Sequence, residues 1–209
     1  RMDSLTRALG HALNVVSTVY EARYRMFIQT EETPNPATLK FLPGSEVLAA
    51  GTADFPNRES ADTSPLALRL FAVPEVTAVF LGSDFVTVTK APEADWQVLK
   101  PAVLGAIMEH YTSGDPVMRE AAGPAHAVDD GENKEVVAQI VELLDTRVRP
   151  AVATDGGDIV FHGFEDGVVF LTMQGACAGC PSSTATLKMG IENLLRHYVP
   201  EVDEVQAVA

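Results

Sequence analysis

Cys177 and Cys180 are the only two cysteines in this chain of 209 residues, set two residues apart in Gly175-Ala176-Cys177-Ala178-Gly179-Cys180-Pro181. Two thiolates at this spacing can share a metal, join one cluster or close a redox disulfide. An apolar, strand-like run at residues 168–173 leads into the segment, and a helical pattern beginning near Ser182 follows it. Thiols at a helix start lie near unpaired N–H groups and the positive end of the helix dipole. That setting lowers a thiol pKa and favours the thiolate, the form that ligates iron or zinc and attacks disulfides. The small residues leave room on the sulfurs for a bulky group. Gly175 and Gly179 would let the backbone approach inorganic sulfides, and Pro181 removes one competing donor. One copy supplies half of a four-thiolate shell, so a four-sulfur site needs two chains meeting on a two-fold axis.

Four chemistries compete at this spacing. A cluster shared by a dimer needs nothing more from one chain. A thioredoxin-like dithiol also places its thiols between a strand and a helix, but that fold sets the strand in a parallel sheet, whereas here it follows a hairpin turn at Glu165-Asp166-Gly167. A zinc site within one chain needs two further ligands, for which His162 and His197 are the candidates. Two inert buried cysteines are disfavoured by glycine and alanine neighbours. Other polar residues read more plainly. Asp155-Gly156-Gly157-Asp158 is a structural turn rather than an acid–base pair, and no GK[ST] follows to make it a phosphate loop. Lys188 reads as a solvated helix lysine, with steering of an anionic group as the alternative. Pro34-Asn35-Pro36 is a turn or a partner contact.

The elements that must position the thiols form two small mixed α+β domains joined by a flexible linker. Residues 26–112 make the first. A strand at 26–30 is broken by Pro34 and Pro36, and a second follows at 37–41. Residues 51–64 read as a loop. Ser64-Pro65 is an N-cap with proline at the first helical position, opening a short helix that ends before Pro74. Residues 76–80 and 85–89 form a hairpin around Gly82-Ser83-Asp84. A helix over 95–111 carries Pro101, which predicts a kink or a start nearer Lys100. Residues 113–131 lack periodicity and are rich in Gly, Pro and Asp, the composition of a linker that lets the two halves move. In the second domain, 132–209, a helix starts near Asn133 with Arg147 and Arg149 toward its end, and Pro150 limits it. A hairpin, the cysteine segment, a helix closed by Pro200 and a short strand at 202–208 follow.

The whole chain carries a net charge of −14, which argues against a nucleic-acid backbone as main partner. No apolar run approaches the roughly 18–20 residues of a membrane span. So few cysteines are no secreted disulfide framework and suit a reducing compartment. Residues 1–25 differ, with four arginines against two acidic residues on an amphipathic pattern. They read as an extension upstream of Met26, or as an organellar leader, which would usually be richer in arginine.

Three segments together resemble the NifU C-terminal-like domain of Nfu-type iron–sulfur proteins: Asp155-Gly156-Gly157-Asp158, residues 175–181, and Thr186-Leu187-Lys188-Met189-Gly190-Ile191-Glu192. The ending Tyr198-Val199-Pro200-Glu201-Val202 is of the same kind, and Pro34-Asn35-Pro36 with Leu39-Lys40-Phe41 looks like the Nfu N-terminal domain. The resemblance implies an α/β C-terminal domain and a scaffold or carrier rather than an enzyme. It implies a [4Fe-4S] cluster, with [2Fe-2S] as the alternative, bound through Cys177 and Cys180 of two subunits. It also implies a homodimer when cluster-bound, delivery to apo iron–sulfur client proteins, and contact with upstream assembly proteins. A bacterial cytoplasm is the expected compartment, and the mitochondrial matrix the alternative.

Overall fold

The computed structural model describes residues 27–119, 133–179 and 181–208. The expected leader, most of the expected linker and Cys180 lie outside the described residues. Two mixed domains are seen, as expected from the sequence.

The N-terminal domain is built on strands β1 (Gln29–Glu32), β2 (Thr38–Leu42), β3 (Ala53–Phe55), β4 (Val76–Leu81) and β5 (Val86–Lys90). They form one antiparallel sheet in the order β1-β2-β5-β4-β3. Helices α1 (Pro65–Phe71) and α2 (Trp96–Ser113) pack on one face. Their core meets Leu39, Phe41, Val79, Leu81, Val86 and Val88, the alternate residues of three neighbouring strands. Ser64 caps α1 as predicted: its Oγ accepts from the Ala67 amide at 3.1 Å and donates to the Val117 carbonyl at 2.7 Å.

Three expectations are corrected here. The 51–64 loop contains β3 and a 3₁₀ turn at Glu59–Thr63. A three-residue edge strand carries too little periodicity to be read, and pairing with β4 creates it. Helix α2 starts at Trp96 rather than near Lys100, because the Asp95 carboxylate caps the Gln97 amide at 2.9 Å and outweighs Pro101. The first part of the expected linker is packed: Val117 and Met118 lie on the N-terminal core, and the Arg119 amide donates to the Thr63 carbonyl.

The C-terminal domain opens with α3 (Lys134–Leu143). A wide π-type turn at Leu144–Val148 carries the chain into α4 (Arg149–Thr154). The expected stop at Pro150 is therefore corrected: a proline in the first turn of a new helix gives up an amide that had no partner there. Strands β6 (Gly157–Glu165) and β7 (Val168–Gly175) form the predicted hairpin, α5 (Pro181–Tyr198) follows the cysteine loop, and β8 (Glu204–Ala207) closes the sheet beside β7. Strand β8 runs parallel to β7, so β7, the cysteine loop, α5 and β8 form a βαβ unit. The parallel pairing that the sequence denied to the strand before the thiols is thus present on its other edge.

Candidate functional site

The cysteine loop leaves β7 at Gly175 and enters α5 at Pro181. The Ala178 amide donates to the Gly175 carbonyl, and Thr184 donates to the Cys177 carbonyl at 3.0 Å, tying the loop to the first turns of α5. Cys177 is 6% exposed, and its sulfur packs against Gly157, where a Cβ would lie 2.7 Å away. Cys177 also lines an open, mostly apolar groove of about 640 Å³, walled by Val148 and Ala151 on one side and Leu187, Ile191 and Leu194 on the other. Pro34 of the N-terminal domain borders the same groove.

The electrostatics reverse one expectation. The helix start was expected to lower the thiol pKa, yet the Cys177 thiol is pushed up to about 12. Burial is the main cause, and the negative charges of Asp155 and Asp158 add to it. Cys177 is therefore a neutral thiol at physiological pH in this conformation. A thioredoxin-like attacking thiol requires the opposite shift.

Asp158 is the best-anchored polar residue nearby. Its carboxylate takes two hydrogen bonds from the Arg149 guanidinium, at 2.8 and 2.6 Å, and one from Thr52 Oγ1 at 2.9 Å. Arg149 reaches Asp145 as well, at 3.2 Å. The structural reading of the Asp155–Asp158 turn holds for Asp158. Arg147 lies over the Tyr198 ring and donates to its hydroxyl at 2.9 Å.

The other candidates resolve as follows. His162 pairs with Thr172, and the His197 ring stands edge-on to Tyr198. Among the described residues no three His, Cys, Asp or Glu side chains come together as a metal site would require. Lys188 approaches Glu204 at 3.5 Å at the surface. Gly175 does not face an open site: a Cβ there would lie 2.8 Å from the Gly156 carbonyl and 2.9 Å from the Phe80 ring of the N-terminal domain. Gly179 has open space around it.

Pro34-Asn35-Pro36 is a turn, and its contact is with the chain's own cysteine loop rather than with a partner. Asn35 Oδ1 accepts from the Ala37 amide at 3.0 Å, while Asn35 Nδ2 donates to the Ala178 carbonyl inside the cysteine loop at 3.1 Å. Sequence reasoning missed this role, together with those of Lys40 and Thr52. Lys40 Nζ donates to the Ala153 and Thr154 carbonyls at 3.2 and 3.0 Å. The signal was faint: a lysine alternating with apolar residues on a strand reads as solvent-facing.

Comparison with known proteins bears on this loop. Residues 28–114 match the scaffold protein Nfu/NifU N-terminal family, and residues 140–206 match the NifU-like domain. The NFU1 iron-sulfur cluster scaffold homolog, mitochondrial, of Drosophila erecta is 51% identical over 203 residues, covering 97% of this chain and 72% of that protein. The chain belongs to the Nfu/NifU iron–sulfur cluster scaffold family. Another of the family's members, NifU-like protein 4, mitochondrial, of Arabidopsis thaliana, is 53% identical over 188 residues, 88% of this chain and 66% of that protein. A solution structure of a NifU-like protein from Saccharomyces cerevisiae overlays with a TM-score of 0.41 at 27% identity, covering 46% of this chain and 86% of that one. The expectation of a bacterial cytoplasm finds no support among these family members, since both curated relatives are named as mitochondrial. Among the described residues no helix is long and apolar enough to cross a membrane.

Proposed function

We propose that two copies of this chain hold one [4Fe-4S] cluster through Cys177 and Cys180 of each copy, in the mitochondrial matrix. Apo iron–sulfur proteins receive the cluster from this pair. The cluster is cargo, and the chain is a carrier without turnover chemistry of its own. The observation that carries the reading is the position of Cys177, on a loop between strand and helix and lining an apolar groove, in a chain with only one other thiol. Family membership supports the scaffold role. Four thiolates require two chains, and a cluster held by two ligands from each is easier to release than one held within a single polypeptide.

Cys177 as folded here is a buried, neutral thiol, whereas an iron ligand is a thiolate. Taking up iron therefore costs Cys177 its proton. The groove beside it gives the side chain somewhere to turn.

Anaerobic reconstitution with iron and sulfide, followed by metal analysis and mass measurement, tests the reading. The expected result is about four iron and four sulfide per pair of chains. About two of each would mark a [2Fe-2S] cargo instead. Iron retained by a single polypeptide, or full iron content in Cys177→Ser, overturns the reading.

A further inference from the structure

The sheet of the N-terminal domain has two faces, and only one is covered by its own helices. Across the other face the strand register aligns Lys40 with Thr87, Thr87 with Phe80 and Phe80 with Asp54. An unpartnered sheet face would leave this row in solvent. Lys40 is 7% exposed, Thr87 2% and Phe80 1%. What covers them is the cysteine-bearing end of the C-terminal domain. A Cβ on Gly156 would lie 2.6 Å from the Thr87 methyl and 3.5 Å from Lys40 carbons. Gly156 (φ +84°) and Gly175 (φ +62°) have to be glycine both for their left-handed backbone and for this approach. Asp54 accepts a hydrogen bond from the Gly175 backbone. Lys40, Thr52 and Asn35 add their bonds to the 153–154 carbonyls, Asp158 and the Ala178 carbonyl.

These contacts converge on the two backbone segments that enclose Cys177: the Gly156-Gly157 turn, against which its sulfur lies, and the loop from Gly175 to Ala178. From these placements we infer that the N-terminal sheet is a detachable clamp on the cysteine loop: closed, it holds Cys177 inward, and it must swing away before a cluster is taken up. The inference rests on the reading of Cys177 as a cluster ligand.

The chemistry of the contact suits release. Apart from Phe80 against Gly175 and the Thr87 methyl and Lys40 stem against Gly156, it consists of polar side chains meeting backbone and of the Thr52–Asp158 pair. A lysine ammonium, two carboxylates, two hydroxyl or amide side chains and several carbonyls all regain water when the domains part. No large apolar side chain of the C-terminal domain inserts into the sheet among these contacts. Interfaces of this kind permit relative domain motion. Opening also withdraws Pro34 from the groove beside Cys177.

The 209-residue chain carrying Cys180→Ser leaves one thiol to follow with Ellman's reagent. In that background Lys40→Glu sets a carboxylate against the 153–154 carbonyls, on the sheet face away from the helix-covered core. Its thiol should react at least about tenfold faster than the parent's, with an increased radius of gyration by X-ray scattering. Thr52→Val removes only the bond to Asp158, so it should give a smaller increase, roughly twofold. If Lys40→Glu does not fold, as judged by its melting, Thr52→Val alone decides, and an unchanged rate there overturns the clamp. An unchanged rate in a folded, expanded Lys40→Glu chain also overturns it, because burial of Cys177 then belongs to the C-terminal domain alone. So does a faster rate without expansion, which would mark a local loop motion. Iron uptake is scored separately with both cysteines present. If Lys40→Glu exposes the thiol and yet the cysteine-intact chain binds no iron, the ligand reading fails while the clamp stands.

Discussion

The two sheets of this molecule spend their faces differently. The five-stranded N-terminal sheet is buried on both: helices α1 and α2 cover one side, and the cysteine end of the other domain covers the second. The three-stranded C-terminal sheet shows regular alternation, with Val169, Leu171 and Met173 of β7 turned to its helices and the residues between them partly open. The first sheet carries the buried lysine; the second leads through β7 into the loop that carries Cys177, and the outward residues of β7 stay partly open. Chemistry and restraint are thus divided between domains. On the proposed clamp, that division would let one sequence keep a thiol neutral in the closed form and offer it in the open one.

The largest effect expected is at the thiol itself. Cys177→Ser should lose its cluster altogether, read as iron content after reconstitution, while the N-terminal sheet keeps its melting behaviour. A large loss of N-terminal stability in that variant would break the proposed division of labour.

Next in size is Arg149→Met. It strips two hydrogen bonds from Asp158, which is 2% exposed and left with Thr52 as a side-chain partner. Arg149 is itself partly exposed, which screens the pair, so a loss of about 2 kcal/mol is expected in denaturant unfolding. The loss should fall on the C-terminal domain. An equal loss in both domains would show that they unfold as one unit.

Ser64→Ala sharpens the comparison from the other side. It removes the cap of α1 and the donor to the Val117 carbonyl, costing about 1 kcal/mol in the N-terminal domain alone. Thermal melting with cluster uptake measured in parallel should show lower stability and unchanged iron.

The smallest effect is a pH slope. His110 is buried with no hydrogen-bond partner for either ring nitrogen among the described residues, and burial, aided by Arg69 and opposed by Asp115, holds its pKa below the ordinary 6.5. The unfolded chain binds that proton more readily, so N-terminal stability should fall as pH drops through 6.5. His110→Phe should flatten this slope. If the slope stays the same, another group is responsible.

Much of the site was legible because its signals are local. The Cys-x-x-Cys spacing, the Ser64-Pro65 cap, the hairpin turn before β7 and the apolar stripe of α5 each act within a few residues, and short-range sterics and hydrogen bonding fix them. Strand β3 was not legible, since three residues carry no period and only β4 gives them a partner. The continuation past Pro150 depended on a wide turn that resets the helix one residue earlier.

The sequence by itself determined the kinds of element, the number of thiols and the two-domain plan, because periodicity, caps and composition are properties of neighbouring residues. Only the tertiary structure decided that Lys40 is buried, that Asn35 reaches the cysteine loop, and that the Cys177 thiol is raised rather than lowered. Those outcomes depend on which faces meet across more than a hundred residues of chain. Desolvation depends on what packs around a group, and the sequence near Cys177 does not contain that information.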